Sequence, residues 1–292
     1  MKQTIRPRRS VLYMPGSNAR ALEKARELPA DCLILDLEDA VAPDAKAAAR
    51  DQVVEALQGG GYGNRELVVR VNDPNSELGE TDIDAVGAAG ADAILLPKVE
   101  TAETISIAGD TLNSAGAPPA LPIWIMAETA LGILHLDNIV AHQPRLAAIV
   151  MGTSDLAKQL RVSPHGSRAG LVHALSQAVL AARAHGLDII DGVHLALDDA
   201  DGFRDACKQG RELGFDGKSL IHPRQIATAN ECFGISEADA ESAREILAAW
   251  ETASQAGSGI TVVRGQLIEQ LHVDEAQRVL TIFEATAGLN EK

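Results

Sequence analysis

The sequence predicts an α/β fold, a TIM-type (β/α)8 barrel with a C-terminal helical appendage. Three observations carry that reading. Short runs rich in Val, Ile and Leu recur eight times, separated by Ala-rich stretches with helical periodicity. The chain has 292 residues, about the size of one such barrel with an addition. Hydrophobic residues make up 46% of it but aromatic ones only 3%, so the core is aliphatic, as a parallel sheet covered on both faces requires.

The runs are Ser10–Met14, Cys32–Leu37, Leu67–Val71, Ala93–Leu96, Ile123–Met126, Ala148–Met151, Leu187–Ile190 and Gly217–Ile221. Helices are predicted over Ala19–Glu27, Lys46–Leu57, Thr81–Ala88, Thr101–Ala108, Ala169–His185 and Asp199–Leu213. Alternation of this kind implies parallel strands, and eight repeats of one polarity imply closure. Gly59–Asn64 (GGGYGN), Thr111–Ala120 and Ser254–Gly259 read as loops. GGGYGN precedes a strand instead of following one, so it is not a dinucleotide loop, and no Walker A motif occurs. Beyond Ile235 the pattern changes to a helix (Ala238–Ala253), an extended stretch (Ile260–Arg264) and a last helix (Asp274–Ala287). The expected division is a catalytic barrel over residues 1–235 and an appendage over 236–292.

Composition narrows the partners. The formal net charge is −15, which argues against nucleic acid, because phosphate binding needs a positive footprint. Residues 1–26 depart from that balance, with seven basic groups (Lys2, Arg6, Arg8, Arg9, Arg20, Lys24, Arg26) against one acid, Glu23. A local basic head suits a small polyanion; a solvated N-terminus would look the same. Cys32, Cys207 and Cys232 are too few and scattered for a disulfide framework. The opening MKQTIRPRRS has no apolar core of a secretory signal, and no apolar run is long enough to span a bilayer. The expectation is a cytoplasmic protein with reduced thiols and no membrane partner.

In barrels of this kind the active site lies at the C-terminal strand ends. Here almost every run ends in polar groups: Asp36-Leu37-Glu38-Asp39, Arg70-Val71-Asn72, Pro97-Lys98-Val99-Glu100, Glu128-Thr129, Ser154-Asp155, Asp191 and His222. Helix capping explains any one of them, but less well the whole set. Glu128 and Asp155 follow adjacent runs. Neighbouring parallel strands lie about 4.8 Å apart, so both carboxylates can reach one point. Two carboxylates with open positions suit Mg²⁺, which keeps waters and takes substrate oxygens. Alternatively, Asp155 caps the helix Leu156–Leu160 and Glu128 pairs with a lysine. Arg70 can grip a carboxylate bidentately or pair with Glu38 or Asp39, and Lys98 reads as structural.

Seven short motifs in register carry a family resemblance. They are Arg9–Gly16, LDLEDAV (Leu35–Val41) with Pro43, Lys46 and Arg50, Arg70-Val71-Asn72, LPKVE (Leu96–Glu100), ETALG (Glu128–Gly132), GTSDL (Gly152–Leu156) and GFDGKSLIHPRQI (Gly214–Ile226). Together, over roughly residues 8–235, the chain resembles the citrate lyase beta-subunit-like family of the aldolase/citrate lyase superfamily. The resemblance implies Mg²⁺ on Glu128 and Asp155, and Arg70 as ligand of a substrate carboxylate. It implies CoA contacts from Tyr13, Arg20 and Lys24, with Ile221 and His222 beside the acyl group; His222 alternatively only shapes the turn before Pro223. It implies retro-aldol cleavage of a malyl-, citramalyl- or citryl-CoA to a 2-oxo acid and acetyl-CoA. Where family members carry a Gly-x-Met-Ile-Asp segment with a catalytic acid, this chain reads Gly265-Gln266-Leu267-Ile268-Glu269, one methylene longer at the acid. That acid often serves a neighbouring subunit, which implies a homo-oligomer (trimer or hexamer) with the appendage as interface or lid. Competing readings are the citryl-CoA lyase subunit of a citrate lyase complex, a malyl-CoA thioesterase and a non-catalytic acyl-CoA-binding relative.

Other candidates read as structural. Asp198–Gly202 superficially looks like a Ca²⁺ loop but has the wrong alternation, and helix capping explains it. His135, His142, His165, His173, His185 and His194 show no ligand spacing, and no nucleophile elbow is present.

Overall fold

A computed structural model describes residues 6–163 and 168–290. Lys2 and His165 lie outside the described residues. The chain divides into two compact units, one of them Arg8–Phe233 and the other containing everything from Gly234 onward.

The larger unit is the expected barrel. Its strands are β1 (Ser10–Pro15), β2 (Cys32–Asp36), β3 (Glu66–Arg70), β4 (Ala93–Leu96), β5 (Ile123–Ala127), β6 (Leu146–Met151), β7 (Asp188–Asp191) and β8 (Gly217–Leu220). They pair in chain order, all parallel, and β8 closes on β1 through the register Val11 to Ser219. Alternate residues face opposite ways. Val11, Ile34, Val68, Leu95, Trp124, Met126, Val150 and Ile190 fill the barrel interior. Leu12, Leu33, Val69, Leu96, Ile125, Ile149 and Ile189 point outward and meet the helices.

Arg8 lies at the N-terminal end of β1. Its guanidinium donates to both oxygens of Glu66 at 2.7 Å, pairs with Asp188 and stacks 4.7 Å from the Trp124 ring centre. Arg9 makes a second bidentate pair with Asp31, also buried. Ion pairs thus close this end of the barrel.

Helices begin where a side chain can satisfy free backbone N–H groups. Asn18, Ser76, Thr129 and Asp199 each accept from a backbone N–H in the first turn of the helix they open. Asp199 therefore caps Ala200–Leu213, as expected for the Asp198–Gly202 segment. The helix Ala102–Ser114 runs through the start of the expected loop Thr111–Ala120. Buried Ile105, Ala108 and Leu112 continue one apolar face across that boundary, and packing outweighs the polar Asn113 and Ser114.

The smaller unit holds helices Glu237–Gln255 and Gln270–Asn290, which pack on each other. Between them the expected extended stretch is a hairpin of β9 (Thr261–Val263) and β10 (Gln266–Ile268). Arg264 and Gly265 turn it with positive φ of 49° and 82°, the geometry of a two-residue hairpin turn. Among the described residues, no helix is long and apolar enough to cross a membrane.

Candidate active site at the barrel mouth

Strand parity decides which polar ends face the mouth. Val68 points inward and Val69 outward, so Arg70 points inward; Ile34 and Leu35 place Asp36 likewise. Register sets Asp36 directly beside Arg70. Arg70 donates from Nε and Nη2 to the two oxygens of Asp36, at 2.7 and 2.6 Å. Its Nη1 lies 3.3 Å from Glu38 and 3.7 Å from Asp39, and its guanidinium carbon lies 4.9 Å from the Tyr13 ring centre. The expected Glu38 and Asp39 pairs are present, but the main partner is Asp36. Two guanidinium edges are thus committed to protein acids. The Tyr13 hydroxyl donates to Met126 Sδ at 3.3 Å, and burial keeps it protonated.

Glu128 follows β5 and is 3% exposed. Its Oε1 accepts the Lys98 backbone N–H at 2.8 Å. Lys98 has a positive φ of 49°, a costly conformation for a residue with a side chain, and this turn aims the amide at Glu128. The expected pairing of Glu128 with a lysine ammonium is not made: Lys98 offers Glu128 only its backbone N–H, and its ammonium pairs with Glu38. The other oxygen, Oε2, faces Gly152. A Cβ on Gly152 would sit 2.3 Å from both Oε2 and Cβ of Glu128, so only glycine fits there. Burial lifts the Glu128 carboxyl to about 7, against the pull of Lys98 and Arg70. Burial also raises Glu38, opposed by Lys98 and Arg70.

Gly152 opens the helix Thr153–Leu160, and Asp155 lies in its first turn. No side chain caps this helix, and among the described residues Asp155 takes no hydrogen bond. The capping alternative for Asp155 therefore fails. Register places Ala127 beside Met151, which brings Glu128 to the start of the helix that carries Asp155. Among the described residues, no group of three or more His, Cys, Asp or Glu side chains could hold a metal. What the mouth offers is a buried carboxylate with one N–H donor and, beside it, a helix turn bearing a second carboxylate.

Arg20 and Lys24 are exposed on the helix Ala19–Ala25. Ile221 is 37% exposed, and its N–H and that of His222 both donate to Gln225 Oε1, at 3.0 and 3.2 Å. His222 Nδ1 accepts the Arg224 N–H at 3.1 Å, so His222 shapes the turn at Pro223. Glu269 belongs to the smaller unit, where it is exposed just before the last helix.

Asp191 turns the other way. Ile190 fills the interior, so Asp191 points out into the helix layer. There it is fully buried, accepting from Lys218 Nζ at 2.6 Å and from Arg168 Nη1 at 2.8 Å. Those two cations hold its carboxyl below its ordinary range despite the burial. It is a structural strand end rather than a mouth residue. The sequence reading missed Asp36 as the Arg70 partner, Gly152 and Gln225. Each lay within a quoted motif, but register and backbone contact, not residue type, reveal their part.

A closed parallel barrel with acids and cations gathered at the C-terminal strand ends has the layout of a barrel enzyme. More particularly, residues 9–223 match the HpcH/HpaI aldolase/citrate lyase family, and the chain belongs to it. It is 47% identical over 288 residues to a (3S)-malyl-CoA thioesterase of Cereibacter sphaeroides, covering 99% of each chain. It is 36% identical over 300 residues to an L-malyl-CoA/beta-methylmalyl-CoA lyase of the same species, covering 94% of each. Among solved structures it is similar to CitE from Mycobacterium tuberculosis in complex with magnesium, acetoacetate and coenzyme A. That likeness has a TM-score of 0.73 at 28% identity, over 95% of this chain and 98% of the other. The expected fold and family are both borne out.

Proposed function

We propose that the barrel binds Mg²⁺ through Glu128 and Asp155 and hydrolyses the CoA thioester of a small hydroxydicarboxylic acid of the malyl-CoA type. The observation that carries this is the state of Glu128. A carboxylate this buried, with a single N–H donor, is short of positive charge, and the second carboxylate on the helix beside it completes a hard oxygen donor pair. Mg²⁺ bound there supplies Lewis acidity and positive charge for the substrate's oxygens.

The remaining roles belong to the chain itself. Arg70, fixed by Asp36 and stacked on Tyr13, presents its guanidinium to the substrate's terminal carboxylate. Arg20 and Lys24 meet the phosphates of CoA, and Tyr13 and the Ile221–His222 stretch flank the thioester. In hydrolysis, water adds to the thioester carbonyl, the C–S bond breaks, and CoA leaves as the thiol. Likeness to a thioesterase along the whole length of both chains favours this bond.

The second reading is the retro-aldol cleavage that the sequence motifs imply, giving a 2-oxo acid and acetyl-CoA. The relative named as a lyase, and the acid retained at Glu269, favour it. Under it, Glu269 serves as acid/base in a homo-oligomer, a trimer or hexamer, with the smaller unit as interface or lid. The test is incubation with malyl-CoA and Mg²⁺, assaying free thiol and 2-oxo acid separately. Thiol alone supports hydrolysis, and 2-oxo acid alone supports the lyase. Neither product, or full activity in EDTA, defeats the proposal.

A further inference from the structure

Lys46 is the first residue of the helix Lys46–Gly59. A cation there opposes the helix dipole, offset in part by Asp44 of the 3-10 turn Pro43–Ala45 that leads into the helix. Local rules broken in this way mark residues with another task. The Lys46 ammonium points back to the barrel mouth and uses all three of its N–H donors. It donates to Leu37 O at 2.7 Å, Glu38 O at 2.7 Å and Asn72 Oδ1 at 2.9 Å. Two successive carbonyls converge on one cation, which fixes the backbone between them.

The same segment is held from its other side. Asp36 accepts the N–H groups of Glu38 and Ala40, at 2.9 and 3.0 Å, while also binding Arg70. Asn72, the third Lys46 acceptor, is buried and tied down in turn. Its Nδ2 donates to Leu37 O and to Asp82 Oδ2, and Arg50 holds the other Asp82 oxygen at 2.7 Å. The chain Arg50–Asp82–Asn72–Lys46 ends on the turn that carries Glu38. Glu38 then meets both mouth cations, Lys98 and Arg70.

We propose that Lys46 is a positioning residue. Its ammonium sets the Leu37–Asp39 turn, so that Glu38 braces Lys98 and Arg70 and aims the guanidinium at the substrate carboxylate. This rests on the reading of Arg70 as that carboxylate's ligand. Neutral Lys46→Met removes all three donors, and Lys46→Gln keeps part of the set if the first variant does not fold.

One arm of the test needs no substrate. Hydrogen exchange at the Glu38 and Ala40 amides should quicken about tenfold or more in the variant, because the turn opens more readily. The second arm is kinetic, with Mg²⁺ and malyl-CoA. kcat/KM should fall about 100-fold, the scale of a misplacement near one ångström, with Mg²⁺ affinity unchanged. Combined with Glu38→Gln, the loss should not exceed that of the worse single variant, because both act through one contact. Unchanged exchange overturns the proposal. So does faster exchange with kcat/KM within twofold of the parent, which would make the turn merely structural. If the parent cuts no bond in malyl-CoA, the proposed function falls, and the exchange arm alone decides whether Lys46 sets the turn.

Discussion

Replacing Gly152 with alanine tests the mouth with one methyl group. The new Cβ would lie 2.3 Å from Glu128 Oε2 and 2.3 Å from its Cβ, whereas ordinary contacts begin near 3.4 Å. More than an ångström must be found. The backbone resists, because Gly152 N–H donates to Ala127 O at 3.1 Å and Gly152 O accepts from Leu156 at 3.2 Å. The Glu128 side chain therefore swings, losing the Lys98 N–H. Overpacking of this kind costs about 1–3 kcal/mol. Loss of a hydrogen bond to a charged group adds about 1.5–3 kcal/mol. If the metal site bears only half of the smallest figure, Mg²⁺ affinity falls about twofold; if it bears most of the mid-range sum, the fall exceeds about 100-fold. Calorimetric Mg²⁺ titration and Mg²⁺-dependent melting of both proteins give the two numbers. A Gly152→Ala protein that binds Mg²⁺ like its parent would show that Glu128 is not where the metal sits.

Other perturbations reach different parts of the molecule. Burial lifts folded Glu128 from its ordinary 4.5 to about 7, so the metal-free fold takes up a proton between those values. Its contribution is intact below pH 4.5 and is lost as pH rises through 7; Glu128→Gln, which cannot ionise, should gain about 3 kcal/mol on the parent across that window. Urea titrations in EDTA that show a constant gap would refute this, and added Mg²⁺ should close it. Lys218→Met leaves buried Asp191 with Arg168 as its one cation among the described residues and should cost about 3–5 kcal/mol in urea, with Mg²⁺ affinity unchanged; a loss below about 1 kcal/mol would dismiss the triad as ornament. Glu269→Gln should lower turnover in the lyase assay more than it weakens CoA binding, and unchanged kinetics would make that residue a bystander.

The strands were legible within one or two residues, because strands buried on both faces must be runs such as Cys32–Leu37 or Ala148–Met151. The second hairpin strand was not, because Arg264-Gly265 is not a usual turn pair and three-residue strands have little pattern to show. At the site, residue type identified Arg70, Glu128 and Asp155 as candidates, but could not tell Asp36 from Asp191. Both are acids ending a strand. Parity sends one into the mouth beside Arg70 and the other into the helix layer beside Lys218. The αL turn at Lys98 also left no trace in the sequence, since nothing about a lysine announces a positive φ.

The pairing of Arg8 with Glu66 and Asp188, against Trp124, has a practical corollary for redesign. It places a tightly packed knot of charge at the opposite pole from the proposed site, with the apolar strand interior as a spacer. Edits around that knot should move the melting temperature and leave selectivity alone, whereas the strand tips tolerate no such freedom. A library aimed at heat resistance can therefore be drawn from the floor of the molecule, and one aimed at new acyl groups from its rim, with little crosstalk between them.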